Sequence, residues 1–310
     1  MRVAGMRLIC SIILGFFSLT AFAGEYYMPP PGNDIIGQNY IITVHRGDSL
    51  TTIREGQGVS YGELLEANPD INFYKLRVGQ RVIIPKQFIL PKYRHGIVIN
   101  TAELRIYYFT PDGKYVYTFP AGLGRKDWRT PLASATVIRK EVNPVWHVPD
   151  DIRNYIYEKT GELVPKDVPP GPKNPLGDRA LYLSKSGYLI HGTNAPHSVG
   201  TFISSGCIRL MREPIELLYQ EAQVGTPVHI IYQPNKAGWC GDKLYLESHA
   251  PIESYEEQPE SDLNEINIKS TIYDAVHLRP AYVNWDTVSY ISNNHRGLPQ
   301  QIGSKFTITN

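Results

Sequence analysis

The chain has 310 residues, with 31 Lys and Arg against 30 Asp and Glu, and only three cysteines. So even a balance offers nucleic acid or an anionic membrane surface no charged face to bind, and three cysteines make no disulfide framework. Twenty-one tyrosines and 24 prolines suit a strand-rich extracellular protein with many defined turns.

At the start of the chain Arg2 and Arg7 precede an apolar run from Leu8 to Leu19, followed by Ala21-Phe22-Ala23. This is the pattern of a secretory leader cut before Gly24. The run falls short of the roughly 20 apolar residues that a spanning helix needs, so no stable membrane span is expected. Cys10 leaves with residues 1–23, and loss of Arg2 and Arg7 takes the net charge from +1 to about −1. Cys207 and Cys240 remain. Residues 24–38 read as an extended, Pro-rich lead-in. "YIITV" (40–44) is a strand by its β-branched content, Gly47 supplies a turn, and Asp48 or Ser49 caps a helix. A second helix opens at Ser60 with Glu63 three residues on, a capping box, and runs to about Asn68 before Pro69. "VGQRVIIP" (78–85) gives a turn, a strand and a proline stop. The segments "YIITVHRGDSLTTI", "SYGELLEANPDI" and "LRVGQRVIIP" resemble a LysM domain over 39–87. That resemblance implies a small βααβ module that binds peptidoglycan glycan strands.

"KQFILPKYRHG" reads as a linker, and a second domain begins near Gly96. "GIVIN" and "LRIYYFTPDGKYVYTF" are strand-like, the latter a hairpin turning at Pro111-Asp112-Gly113. Further strands are expected at 133–140, 180–184, 187–191 and 227–232. Between 141 and 179 lies a Pro/Gly-rich insertion with one short helix near 150–159; a stretch of this kind lines a cleft or forms a lid. A helix starts at Pro214 and sets Ile215, Leu218, Tyr219 and Ala222 on one face. The chain turns acidic at 247–265. For the extension 234–310 a packed module and a partly disordered tail are both open.

The chemistry gathers at "SSGCIRLM" (204–211). An attacking cysteine needs a base, because at its ordinary pKa of about 8.5 little of the thiol is ionised. His191, at the end of "GYLIH", is the candidate base. Gly206 allows close approach and lets amides converge on an oxyanion, Ser205 can donate a hydrogen bond, and Arg209 suits a substrate carboxylate. By spacing alone, a structural thiol beside an unrelated histidine stays open.

The full string "IHGTNAPHSVGTFISSGCIRLM" is similar to the signature of the L,D-transpeptidases. It holds His191-Gly192-Thr193-Asn194, then Ser198-Val199-Gly200, then Ser204-Ser205-Gly206-Cys207-Ile208-Arg209. "GLGRKDWRTPLASATV" resembles the family's Gly-x-Gly…Thr-Pro segment, and the resemblance spans about 95–233. It implies a mostly β catalytic domain of the L,D-transpeptidase sandwich type with short helices, beside the LysM module. It implies that Cys207 attacks the diaminopimelate carbonyl of a tetrapeptide stem, expels D-alanine, and passes the acyl group to a second diaminopimelate or a lysine of an outer-membrane lipoprotein. His191 would move the proton, oriented by the Gly192 carbonyl, with Arg209 completing the catalytic set. Ser205, Gly206, Thr193 and Asn194 would bind substrate or the oxyanion, and His197 would be loop filler. Carbapenem-type β-lactams would acylate Cys207. No cofactor and no metal are implied, and His45, His95, His147, His229, His249 and His277 show no ligand spacing. The partners expected are glycan strands and stem peptides, in the periplasm. A hydrolase on the same scaffold, releasing lipoprotein or trimming stems, and a non-catalytic wall-binding protein are the alternatives.

Overall fold

A computed structural model describes residues 24–252 and 268–306. The expected leader, Cys10 and most of the acidic run lie outside the described residues.

The centre is a nine-stranded sheet. Its strands lie in the order Gly24–Tyr27, Tyr115–Pro120, Arg105–Phe109, Gly96–Asn100, Pro227–Ile231, Ala133–Val142, Arg179–Leu183, Leu189–His191 and Ile208–Arg209. Two neighbouring pairs are parallel, Gly96–Asn100 with Pro227–Ile231 and Leu189–His191 with Ile208–Arg209. The expected hairpin is present. Thr110 and Asp112 hydrogen-bond across its turn at 2.6 Å, and Gly113 takes the positive φ of 69° that the turn requires. One face of the sheet buries Ile97, Ile99, Ile106, Phe119, Val137, Leu181, Ile190 and Ile208 against helix Arg212–Glu221, whose Ile215 and Leu218 are fully buried. This is the helix read from the Ile215/Leu218/Ala222 spacing, begun two residues before Pro214.

The βααβ module is built as its sequence reads. Tyr40–Thr43 pairs antiparallel with Arg81–Ile84, and between them lie α1 (Leu50–Gln57) and α2 (Tyr61–Ala67). Ser49 caps α1. Ser60 accepts from the Glu63 amide at 3.1 Å while Glu63 Oε2 accepts from the Ser60 amide at 2.6 Å, closing the capping box on α2. A small core of Val44, Ile53, Val59, Leu64, Phe73, Val82 and Ile84 holds the module.

Two segments differ from their sequence reading. The lead-in is not a free extended arm. Gly24–Tyr27 is an edge strand on Tyr115–Pro120, and Ile35–Gly37 pairs with Gln87–Ile89, inside the segment read as a linker. Ile36, Phe88 and Leu90 are thereby buried with Val98, Tyr107 and Phe109 on the second face of the large sheet. Three-residue strands carry too little periodicity to announce themselves, and each forms only because the other, some 50 residues away, covers its backbone.

The extension is a packed module. Asn235–Cys240, Lys243–Ser248, Gln300–Lys305 and Ala281–Val283 form a four-stranded sheet under helices Ile268–Val276 and Trp285–Asn294. Its core is Trp239, Leu244, Leu246, Ile272, Val288, Ile291 and Ile302. No disulfide joins Cys207 and Cys240. Among the described residues no helix is long and apolar enough to cross a membrane.

The three parts are joined by buried charge. Glu63 Oε1 pairs with Arg105, whose guanidinium also lies 4.2 Å over Phe88. Lys236 Nζ sits 2.9 Å from Glu103 and 2.8 Å from Glu247, and His249 bridges Glu247 and Glu66 of α2, each at 2.9 Å. Glu103, Glu247 and His249 have ligand atoms close enough to hold a metal ion. The Lys236 ammonium already lies against both carboxylates, however, so the cluster contains its own cation.

Candidate active site

Parallel pairing of Leu189–His191 with Ile208–Arg209 sets Ile190 beside Ile208 and His191 beside Arg209. Both isoleucines are fully buried in the core. Alternation along a strand then sends His191, Arg209 and the preceding Cys207 toward the opposite side. There they meet in one cleft of about 750 Å³, lined also by Arg125, Trp128, Trp146, Tyr155, Tyr188 and Ser205. Leu210 N–H donates to His191 O at 2.9 Å, and Gly122 and Arg209 exchange backbone bonds at 2.9 and 2.8 Å. His191 and Cys207 are therefore carried on hydrogen-bonded backbone.

His191 is buried, and its Nδ1 donates to the Gly192 carbonyl at 2.6 Å. A neutral imidazole with the proton on Nδ1 keeps its lone pair on Nε2. Burial, and then the Arg209 charge, push the His191 pKa down to about 4, against the carbonyls of Gly192 and Leu176. Cys207 is partly open to the cleft, and its Sγ lies 3.6 Å from the Gly187 carbonyl. Burial pushes the thiol pKa up, against a backbone bond from Leu189 and the Arg209 charge. At neutral pH Cys207 is thus a thiol and His191 a neutral imidazole, both in one cleft.

The turn before the cysteine is fixed from three sides. Ser204 Oγ donates to Cys207 O at 2.6 Å and accepts from Gly206 N–H at 3.1 Å. Thr130 Oγ1 donates to Gly206 O at 2.8 Å and accepts from Gly124 N–H at 3.0 Å. Gly206 has φ 105°, and a Cβ there would stand 2.9 Å from the Tyr188 ring, so the position demands glycine. Its N–H, expected to face an oxyanion, donates here to Ser204 Oγ. Thr193 and Asn194 do not line the cysteine cleft. They border a separate depression with Asn143, Asn174 and Arg212, and Thr193 Oγ1 accepts from Ala195 N–H at 2.9 Å. The chain leaves the sheet after His191, so residues two and three further on face away. Ser205 lies in the cleft, its Oγ 3.4 Å from Arg125 Nη1.

Sequence reasoning missed Arg125, Trp128, Thr130, Tyr155 and Tyr188. Three of them stand in "GRKDWRT", and Tyr155 belongs to helix Asp150–Thr160, the short helix read in the insertion. Tyr188 is the residue before the His191 strand. Its hydroxyl pKa is raised by burial and by the nearby charge of Cys207.

Residues 94–230 match the L,D-transpeptidase catalytic domain, and residues 42–85 match the LysM domain. The chain is 36% identical over 304 residues to the probable L,D-transpeptidase ErfK/SrfK of Escherichia coli K12, covering 96% of this chain and 97% of that one. It is 38% identical over 251 residues to the probable L,D-transpeptidase YbiS of the same bacterium, covering 79% and 81%. Among solved structures, the L,D-transpeptidase from Mycobacterium smegmatis covers 50% of this chain and 64% of its own, with 19% identity and a TM-score of 0.34. Fold and cleft together define a cysteine acyl-transfer enzyme of mostly β architecture carrying a LysM module. The chain belongs to the L,D-transpeptidase family.

Proposed function

We propose that this enzyme is a peptidoglycan L,D-transpeptidase with Cys207 as nucleophile, His191 as base and acid, and Gly192 as the group that orients His191. The observation that carries the reading is the His191 Nδ1–Gly192 O bond of 2.6 Å beside a cysteine open to the same cleft. In acylation Sγ attacks the diaminopimelate carbonyl while Nε2 of His191 takes the thiol proton. The C–N bond breaks, the imidazolium returns that proton to the departing D-alanine amine, and a thioester remains. In the second half an acceptor amine attacks the thioester, His191 takes its proton, and the proton passes to the leaving thiolate. Arg209, beside Cys207 with its Nε buried and unpaired, holds the thiolate and the developing negative charge in place. Tyr188 O–H is the oxyanion donor this reading favours, since Gly206 N–H is engaged. The LysM module delivers the enzyme to glycan strands, and the leader at 1–23 sends it to the periplasm.

The acceptor is a second diaminopimelate or a lipoprotein lysine. Tetrapeptide muropeptides incubated with and without a lysine-terminated lipoprotein peptide test this by product mass. A joined product absent with Cys207→Ala is the expected result. D-alanine loss or bond cleavage with no joined product would replace transfer by hydrolysis.

A further inference from the structure

Arg125 shares the cleft with Cys207 but has no part in the proton transfers above. Its backbone N–H donates to Ser204 O at 3.0 Å, which ties it to the cysteine turn. Its guanidinium lies against a pair of touching rings, Trp128 and Tyr155, 4.3 Å from each centroid, the two centroids being 5.1 Å apart, so that both rings stand to one side of it. Nη1 reaches Ser205 Oγ at 3.4 Å, while Nε and Nη2 are buried without a hydrogen-bond partner. Those two nitrogens form the side edge of the guanidinium, the edge whose parallel N–H groups match a carboxylate. The paired rings hold the cation in place and keep water from the side they cover.

Among the described residues no carboxylate hydrogen-bonds Nε or Nη2. Arg209 nearby likewise has a buried, unpaired Nε. Burial chiefly lowers the Arg209 pKa, and the charge of Arg125 adds to it, so the two cations are neighbours. Two neighbouring guanidiniums, neither hydrogen-bonded to a carboxylate among the described residues, suit this end of the cleft to an anionic group.

We propose that Arg125 is a specificity-determining residue for the donor, whose free carboxylate is received by its guanidinium, which Trp128 and Tyr155 hold in place at the cleft. This rests on the transpeptidase reading. A tetrapeptide donor brings two such carboxylates within reach of the scissile bond, one at the end of the diaminopimelate side chain and one on the terminal D-alanine. Asp127 and Asp151 line the same cleft. They offer opposite charge to an ammonium beside the carboxylate, which the diaminopimelate end carries and the amide-linked D-alanine does not.

The test measures kcat/KM for D-alanine release and Cys207 adduct formation, using full-length mature enzyme and three donors. These are the free tetrapeptide, the same peptide amidated on the diaminopimelate carboxylate, and the D-alaninamide peptide. Wild type is expected to lose about 10- to 100-fold on one amidated donor, the scale of a lost charge-assisted pair. Arg125→Gln should lose as much on the free donor and nothing further on that amidated one, and Arg125→Lys should recover part. The amide that matters names the carboxylate. Equal use of all three donors by wild type overturns the proposal. So does an equal loss of all three in Arg125→Gln, which would make Arg125 a strut for the 150–160 helix. A wild type that forms no Cys207 adduct with any donor overturns the transpeptidase reading and the proposal with it.

Discussion

In the mechanism proposed here, His191 sets how Cys207 is activated. With its pKa pushed down to about 4, the imidazole is neutral over the physiological range, and the Cys207 thiol is raised by burial, so no resting ion pair is available. The sign follows directly: as pH falls through about 4 the imidazole gains a proton and stops acting as base. The acylation rate should be level between about pH 5 and 8 and should drop on the acid side near pH 4; pre-steady-state adduct formation across pH 3.5–8 checks this, and an acid limb near 6.5 would contradict it. His191→Ala should slow acylation by about 10²- to 10⁴-fold, the usual worth of a positioned base. The cysteine and the histidine were legible in the sequence because both stand in one 22-residue string. Thr193 and Asn194 stand in the same string, yet the chain turns away from the cleft between them and His191. Adjacency in sequence says little once a strand ends.

At the scale of elements, the cysteine turn depends on a threonine from another segment. Thr130 satisfies both Gly206 O and Gly124 N–H. Thr130→Val keeps the shape and leaves both groups buried without their partner, a cost of about 1–3 kcal/mol for each unsatisfied group. Thermal unfolding should show a lower Tm, and Cys207 acylation should slow with it. Capping boxes, the Pro-Asp-Gly hairpin and the helix after the cysteine were readable because each is written within a few neighbouring residues. Helix Asp150–Thr160 was also found, and it lines the cleft, one of the two roles read for the insertion, through Asp151, Ile152, Tyr155 and Ile156. What sequence did not show is the contact of Tyr155 with Arg125, which joins positions 30 apart.

The whole molecule is keyed together by charges that each element's own sequence does not explain. Glu63 closes the capping box of α2 and also pairs with Arg105 of the large sheet, 42 residues away; only the first role was visible in sequence. Glu63→Ala would leave Arg105 buried without its carboxylate, a loss of about 3–5 kcal/mol, and calorimetry should register it as a lower Tm for the whole chain. Gly200, in the loop joining His191 to Cys207, lies so close to Ser60 that a Cβ would stand 2.2 Å from the serine Cβ. The LysM module therefore bears directly on the catalytic loop. His249, bonded to its neighbour Glu247, holds the extension to Glu66 of α2, and its pKa is raised to about 10, burial opposing the two carboxylates that charge it. A histidine raised in the folded state contributes stability in full below about pH 6.5, and loses it as pH rises through about 10. Denaturant midpoints should fall between pH 7 and 10, and His249→Gln should flatten that fall.

The central claim is that Cys207 carries the acyl group, and intact-protein mass spectrometry of the mature enzyme with a tetrapeptide donor tests it most directly. A mass increase equal to the donor less D-alanine, located on the peptide holding Cys207 and absent from Cys207→Ala, is the predicted result. D-alanine release that proceeds equally in Cys207→Ala would contradict it.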